Sequence, residues 1–481
     1  MEEHIIIERS KQIWLTIIIT ASVLIFSIDY SMLNISFPAI AKYFNINIGS
    51  VARLPMVYLL IVTSTLLVFG KLGDIKGYKA VFISGLILFA VGAFLAGISP
   101  TINILLIARV IQSIGEAMLS PAGMAIVTSS LPDNIRGRAL GVLATAQGLG
   151  IAVGSALGGL INAHFVWRGI FFINLPLIIA TIVLAIKMLP SKQAKSPDSG
   201  FDYLGAVLIT AALASLVYAM NMISKKGGFG IPTLICFFFS MTAFVLLIMQ
   251  ERRIAHPLLD LKFFKKLNFT LANVAAFFFT FLLMGFGFLA PFYLEMARGL
   301  SIAKVGALLV IPSLMLMIMA PISGRLSDKF GSSFLCAIGM GTSAVSFIML
   351  SLISRSSGLL YIILALFLLG SGAGIFLAPN NKLVLASAPS DKQGAASGVY
   401  KIFLNTGSVF GIVLFPLVII HASMLMAVKE NVAITQIRQT PRILEFGFRG
   451  AFIFGFFVCL VALLFSILAK DNKIARQNEP A

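Results

Sequence analysis

The sequence predicts an all-α polytopic membrane protein of fourteen transmembrane helices, two parallel six-helix repeats with two further helices inserted between them. Three observations carry that prediction: apolar stretches recurring from end to end, a scarcity of charge, and a segment pattern that returns in the second half. Hydrophobic residues make up 59% of the 481 and charged residues 11%, with a mean hydropathy of +1.01. A soluble domain carries about a quarter charged residues, so the solvent of this chain is lipid.

About 20 apolar residues cover the roughly 30 Å hydrocarbon layer. Such stretches fall at about 13–37, 53–72, 80–98, 102–124, 137–161, 168–188, 203–222, 231–250, 270–294, 303–323, 333–353, 359–379, 394–420 and 447–469, numbered spans 1 to 14. Backbone groups in lipid must be satisfied within each segment, and no ten-residue barrel alternation is visible, so every span is read as a helix. Span 1 starts behind Glu8, Arg9 and Lys11 and ends in Asn34 and Pro38 without a small-residue cleavage site, so it is expected to be retained.

With the N-terminus cytoplasmic, the cytoplasmic segments hold 22 of the 36 Lys and Arg residues and the external ones 12, as the positive-inside rule requires. The expectation is a multi-pass protein of the cytoplasmic membrane with both termini inside. Segment 422–446, with Lys429, Arg438 and Arg442, would be a long external loop, a kind that follows the charge bias poorly.

The net charge of +18 does not indicate a nucleic-acid partner, because the basic residues lie between apolar spans and form no domain of their own. Cys236, Cys336 and Cys459 sit inside apolar runs without CxxC spacing, and His4, His164, His256 and His421 are too scattered for a metal site. The chain has no GxSxG, HExxH or GxxxxGK[ST] segment, so neither an enzyme nor a cofactor is expected. A proton gradient is the expected driving force. One proton falling through 100 mV and one pH unit yields about 3.7 kcal/mol, enough for about five-hundredfold accumulation.

GKLGDIKG (Gly70 to Gly77) recurs as GRLSDKFG (Gly324 to Gly331). Further along, Pro121 answers to Pro379, LPDNIRGRALGV to APSDKQGAASGV, and Gly150 and Gly154 to Gly407 and Gly411. Two homologous halves follow, giving a first bundle at 1–189, a linker with inserted spans 7 and 8 at 190–268, and a second bundle at 269–481. Spans 1 and 9 start on the same side, so the repeats are parallel, as in transporters that rock two bundles about a central site.

A charge deep in a membrane helix costs roughly 2.5 to 3.5 kcal/mol, so each needs a partner, a watery cavity or a task. Asp29 in span 1 and Arg109 in span 4 fall at similar depth and are expected to interact, either as a coupling pair that a proton or cationic substrate opens or as a static ion pair. Glu116 follows Arg109 by two turns on the same face, a candidate second acid of the cavity or a paired structural carboxylate. The repeat aligns Asp29, Arg109 and Glu116 with Leu282, Phe367 and Gly374, which assigns ion coupling to the first half. Lys401 either lines the cavity from the other half or snorkels to the interface.

Gly70, Leu72, Asp74, Gly77 and Lys79 after span 2, and Arg109, Gln112 and Gly115 in span 4, resemble the loop and helix signatures of the major facilitator superfamily. Gly148, Gly150, Gly154, Gly158 and Gly159 are similar to its antiport motif. Asp29, Ser31, Asn34 and Pro38, with WRGIFFINLP from Trp167 to Pro176, resemble its fourteen-helix drug/proton antiporters, which include multidrug, disinfectant and tetracycline exporters. The chain departs at Ser155, where that motif has Pro, and at Ser113, where the helix signature has Gly.

The resemblance implies proton-coupled export of lipophilic, cationic compounds, with Asp29, Asn34 and Arg109 at the coupling and substrate site; Glu116 stands where the helix signature has a small uncharged residue, so its place at that site rests on its buried charge alone, and a monomer is expected. A narrow-substrate transporter for a metabolite, tetracycline chelate or lipid is the alternative on the same fold. Gly70, Asp74, Gly77 and Lys79, with Gly324, Asp328 and Gly331, are expected either to latch one conformation across the halves or simply to cap helices. The helix glycines Gly150, Gly154, Gly158 and Gly159 are expected either to allow close contact and bending where the halves meet or to serve ordinary helix packing.

Overall fold

The computed structural model describes residues 9–190, 202–226, 230–254, 261–353, 357–387, 393–430 and 441–469. In chain order the helices are α1 (Arg9–Tyr43), α2 (Ile48–Val51), α3 (Arg53–Lys76), α4 (Tyr78–Gly97), α5 (Ile102–Ser130), α6 (Asp133–His164), α7 (Gly169–Phe172), α8 (Asn174–Met188), α9 (Tyr203–Lys226) and α10 (Ile231–Glu251). They continue as α11 (Leu267–Phe292), α12 (Ile302–Phe330), α13 (Ser332–Leu352), α14 (Leu359–Ala386), α15 (Gln393–Lys429) and α16 (Pro441–Leu468). Every expected span is helical.

Thirteen helical segments among the described residues are long and apolar enough to cross a membrane. The remaining expected span, α9, is a helix of 24 residues that carries an apolar stretch at Leu204–Met220 among the described residues. Outward-facing residues are as apolar as the interior: on α10, Ile231 and Phe238 are 75% and 76% exposed, which lipid accepts and water would not.

Several helices outrun the expected boundaries. The supposed loop 422–446 is one: α15 continues to Lys429 and α16 begins at Pro441. Met424, Met426 and Ala427 keep the helix going past the length a membrane needs, and Arg438 lies outside the described residues. A helix that leaves the bilayer does not have to stop there.

The packing scheme repeats. In the first half α1 lies against α6, α5 against both α3 and α4, and α8 against α1 and α4. In the second, α11 lies against α15, α14 against both α12 and α13, and α16 against α11 and α13. Contacts between the halves repeat too, since α6 meets α12 and α15 meets α3, with α1 and α11 touching at the centre. The inserted α9 packs on α10 and leans on α3 and α15, covering one of the two seams between repeats.

Two glycines mark corresponding corners. Gly77 between α3 and α4 has φ 87°, and Gly331 between α12 and α13 has φ 90°. This conformation is open almost only to glycine, so each fixes a tight turn between consecutive helices.

Candidate functional site

Asp29 and Arg109, expected at similar depth, meet: Arg109 Nη1 donates to Asp29 Oδ2 at 2.8 Å, with the side chains 2% and 1% exposed. Asp29 Oδ1 accepts from Gln112 Nε2 at 3.0 Å and from Asn174 Nδ2 at 3.2 Å. Gln112 lies one turn beyond Arg109 on α5, and its Oε1 accepts from Arg109 Nη1 at 2.6 Å. Three helices, α1, α5 and α8, thus close a polar knot inside lipid, which satisfies the carboxylate as a buried charge requires.

The guanidinium is less fully satisfied. Its Nε and Nη2 have no hydrogen-bond partner among the described residues. Instead its Cζ lies 4.1 Å from the centroid of the Tyr58 ring on α3, a cation–π contact. The Tyr58 hydroxyl in turn donates to Glu116 Oε2, so one aromatic side chain joins the acid expected two turns from Arg109 to the same cluster. Lys401 is an exposed residue of α15, in the opposite repeat.

Beside this knot lies a cavity of about 120 Å³. Tyr30, Ser31 and Asn34 of α1 and Ile151 and Ser155 of α6 form one wall. Met284 and Phe286 of α11, Pro312 and Ser313 of α12 and Leu369 of α14 form the other, so both repeats contribute. The Tyr30 hydroxyl crosses between them to Met284 Sδ at 2.8 Å, while Ser31 and Ser155 share a hydrogen bond of 2.8 Å. Of the four residues expected at the site, Asn34 is on the wall, whereas Asp29, Arg109 and Glu116 stand behind it.

The glycines of α6 divide between two tasks. A Cβ on Gly150 would meet Ser27 Cβ at 2.6 Å, and on Gly154 the Ile28 carbonyl oxygen at 2.7 Å. On Gly158 it would meet Met32 Cα at 2.9 Å. All three face α1 of their own repeat, which is ordinary helix packing rather than contact at the junction of the halves, because a spacing of four keeps them on one helix face. Gly407 and Gly411 seat α15 on Phe277 and Phe281 of α11 in the same way. Gly159, one residue round, meets the other repeat, where a Cβ would lie 2.9 Å from Gly306 Cα of α12. Close approach at the junction therefore falls to Gly159 and Gly306.

In the loop motifs, Lys79 Nζ donates to the carbonyl oxygens of Ile186 and Leu189 at 2.8 and 2.7 Å, capping the end of α8. Asp328 accepts from Lys382 Nζ at 2.5 Å, a contact with α14 of its own repeat rather than across the halves. The side chain of Asp74 lies outside the described residues. Gly70 and Gly324 occupy equivalent places, each facing the next helix of its bundle but one, at Pro121 and Ala378.

Tyr30, Tyr58 and Asn174 were not singled out from sequence. A tyrosine in an apolar run reads as packing, and only the fold shows which one lies under a guanidinium. Asn174 carried a signal, a carboxamide deep in FFINLP, with no means of naming its partner.

Residues 19–412 match the family model described as Major Facilitator Superfamily. The riboflavin transporter RibZ of Clostridioides difficile (strain 630) is 34% identical to this chain over 410 residues, covering 84% of this chain and 88% of that protein. The tetracenomycin C resistance and export protein of Streptomyces glaucescens is 27% identical, covering 83% of this chain and 74% of its own. The multidrug efflux pump LfrA of Mycolicibacterium smegmatis is also 27% identical, over 83% and 79%.

Among solved structures, an inward-facing bacterial homolog of the human lysosomal transporter Spinster superposes with a TM-score of 0.69 at 13% identity, covering 96% of this chain and 97% of that one. With the matched family model spanning most of the helices, and two repeats closing on a shared cavity, the chain belongs to the Major Facilitator Superfamily and is a multi-pass membrane transporter.

Proposed function

We propose that the protein exports small lipophilic compounds across the cytoplasmic membrane in exchange for protons, by alternating access, with both termini cytoplasmic. The observation that carries this reading is the Asp29–Arg109 pair buried directly behind a cavity that both repeats line. A carboxylate held by one guanidinium and two amide donors exchanges that contact for a proton without leaving its place. Alternation then requires the repeats to move as bodies about Gly159 and Gly306, while Tyr30 and Met284 part and meet. The relatives that export tetracenomycin C and multiple drugs support the direction and the breadth of cargo.

The test is flux in proteoliposomes under an imposed pH gradient, comparing wild type with Asp29→Asn. Gradient-driven movement of fluorescent lipophilic compounds that the substitution abolishes is the expected result; flux indifferent both to the gradient and to Asp29 would reject proton coupling. A second reading, a narrow transporter for riboflavin or a similar metabolite, is favoured by the 34% identity to a riboflavin transporter. Riboflavin belongs in the same assay, where saturable flux of riboflavin alone would select it.

A further inference from the structure

We infer that the compound carried in the central cavity is uncharged: a flat, mostly apolar body with a hydrogen-bonding edge, rather than a lipophilic cation. This rests on the transport reading above and names its cargo. No Asp, Glu, Lys, Arg or His lies on the wall among the described residues. The polar residues on the wall are uncharged, Tyr30, Ser31, Asn34, Ser155 and Ser313, and the remainder is apolar and includes Phe286.

The acids nearby are already spoken for. Asp29 is 2% exposed and holds Arg109, Gln112 and Asn174. Glu116 accepts from the Tyr58 hydroxyl. Asp29 thus already has its counter-charge, and the wall itself offers no charge of either sign to a ligand among the described residues.

A cation entering this space loses its hydration without gaining a counter-charge, which lowers its affinity by about fiftyfold against an uncharged compound of the same shape. An uncharged ring system keeps the apolar contacts of Phe286 and the sulfur of Met284, and its polar edge finds the Asn34 amide and the Ser313 hydroxyl. Ser313 at present reaches only the Leu309 carbonyl at 3.4 Å, so its hydroxyl turns to a ligand at little cost.

The test compares two fluorescent tricycles on one skeleton, acridone and the permanently charged N-methylacridinium, binding at equilibrium to the full chain in nanodiscs. Acridone is expected to bind about fiftyfold more tightly. Asn34→Leu is expected to weaken acridone about tenfold, and Ser313→Asp, which puts a carboxylate on the wall, to improve N-methylacridinium at least tenfold, with folding checked by thermal melting. The inference is overturned if the cation binds wild type as tightly as acridone, if neither tricycle binds, or if folded Ser313→Asp leaves their ratio unchanged. Equilibrium binding needs no gradient, so a protein that binds acridone yet shows no proton-driven flux would reject the coupling mechanism and leave the cargo class standing.

Discussion

Removing both members of the Asp29–Arg109 pair should destabilise the protein by clearly less than the sum of the two single removals. At 2.8 Å and an effective dielectric constant near 20, the Coulomb attraction is about 6 kcal/mol, most of which offsets the desolvation of two charges that are 2% exposed or less. Breaking such a pair from one side costs about 3 to 5 kcal/mol, because the survivor stays buried. In Arg109→Gln the Asp29 carboxylate keeps Gln112 and Asn174 but loses its counter-charge. In Asp29→Asn the guanidinium, two of whose nitrogens already lack a hydrogen-bond partner, loses its only salt bridge among the described residues. The double substitution leaves two neutral amides and should recover about 2 to 3 kcal/mol of the summed loss.

Cys336 and Cys459 are fully buried, so a thiol-reactive dye reports unfolding as they emerge, in a denaturant series that covers all four proteins of the cycle. Additivity within about 0.5 kcal/mol would refute the coupling, and with it the view that the charge on Asp29 depends on Arg109.

Four further outcomes follow from the packing. Gly154→Leu should disrupt assembly, since its first side-chain carbon falls 2.7 Å from the Ile28 carbonyl oxygen, whereas Gly141→Ala, with nothing within 4 Å, should be neutral or stabilise by up to about 1 kcal/mol; yields and melting separate them. Gly77→Ala and Gly331→Ala should each cost about 1 to 3 kcal/mol in the same denaturant series, because both glycines have φ near 90°. Asp328→Asn removes an exposed ion pair and should change stability by less than about 1 kcal/mol, so a larger loss of flux than of stability would point to the moving protein. Tyr58→Phe keeps the ring beneath Arg109 but leaves Glu116 without its hydroxyl donor, and is expected to alter the pH profile of flux while leaving melting within about 1 kcal/mol of wild type.

The spans were legible because lipid imposes a length and an apolarity that few other structures need, and the halves because two loop segments return with their Gly, Leu, Asp and Gly in the same order. Asp29 and Arg109 were legible as partners since depth along a helix follows from counting residues. Orientation around the helix axis was not. Gly150 and Gly154 announced a close contact without saying whether α1 or the other repeat supplied it, and Tyr58 gave no sign that its two faces of chemistry, ring and hydroxyl, would serve two different charges. Such facts belong to azimuth and to tertiary neighbours, which hydropathy does not encode. The end of α15 was misplaced for another reason: membrane thickness bounds the apolar run, not the helix.

The inserted α9 touches the two repeats in different ways. Its apolar residues Ile209 and Leu213 lie beside Leu60 of α3 and Ile402 of α15 alike, but among the described residues it adds a directional bond to α3, Thr210 Oγ1 to the Ser64 carbonyl oxygen at 3.1 Å, while the contact with α15 is greasy surface that binds without fixing register. When the repeats rock as proposed, the grease slips before the bond breaks. The extra pair then travels as cargo of the first repeat, and the machine is lopsided, eight helices swinging against six.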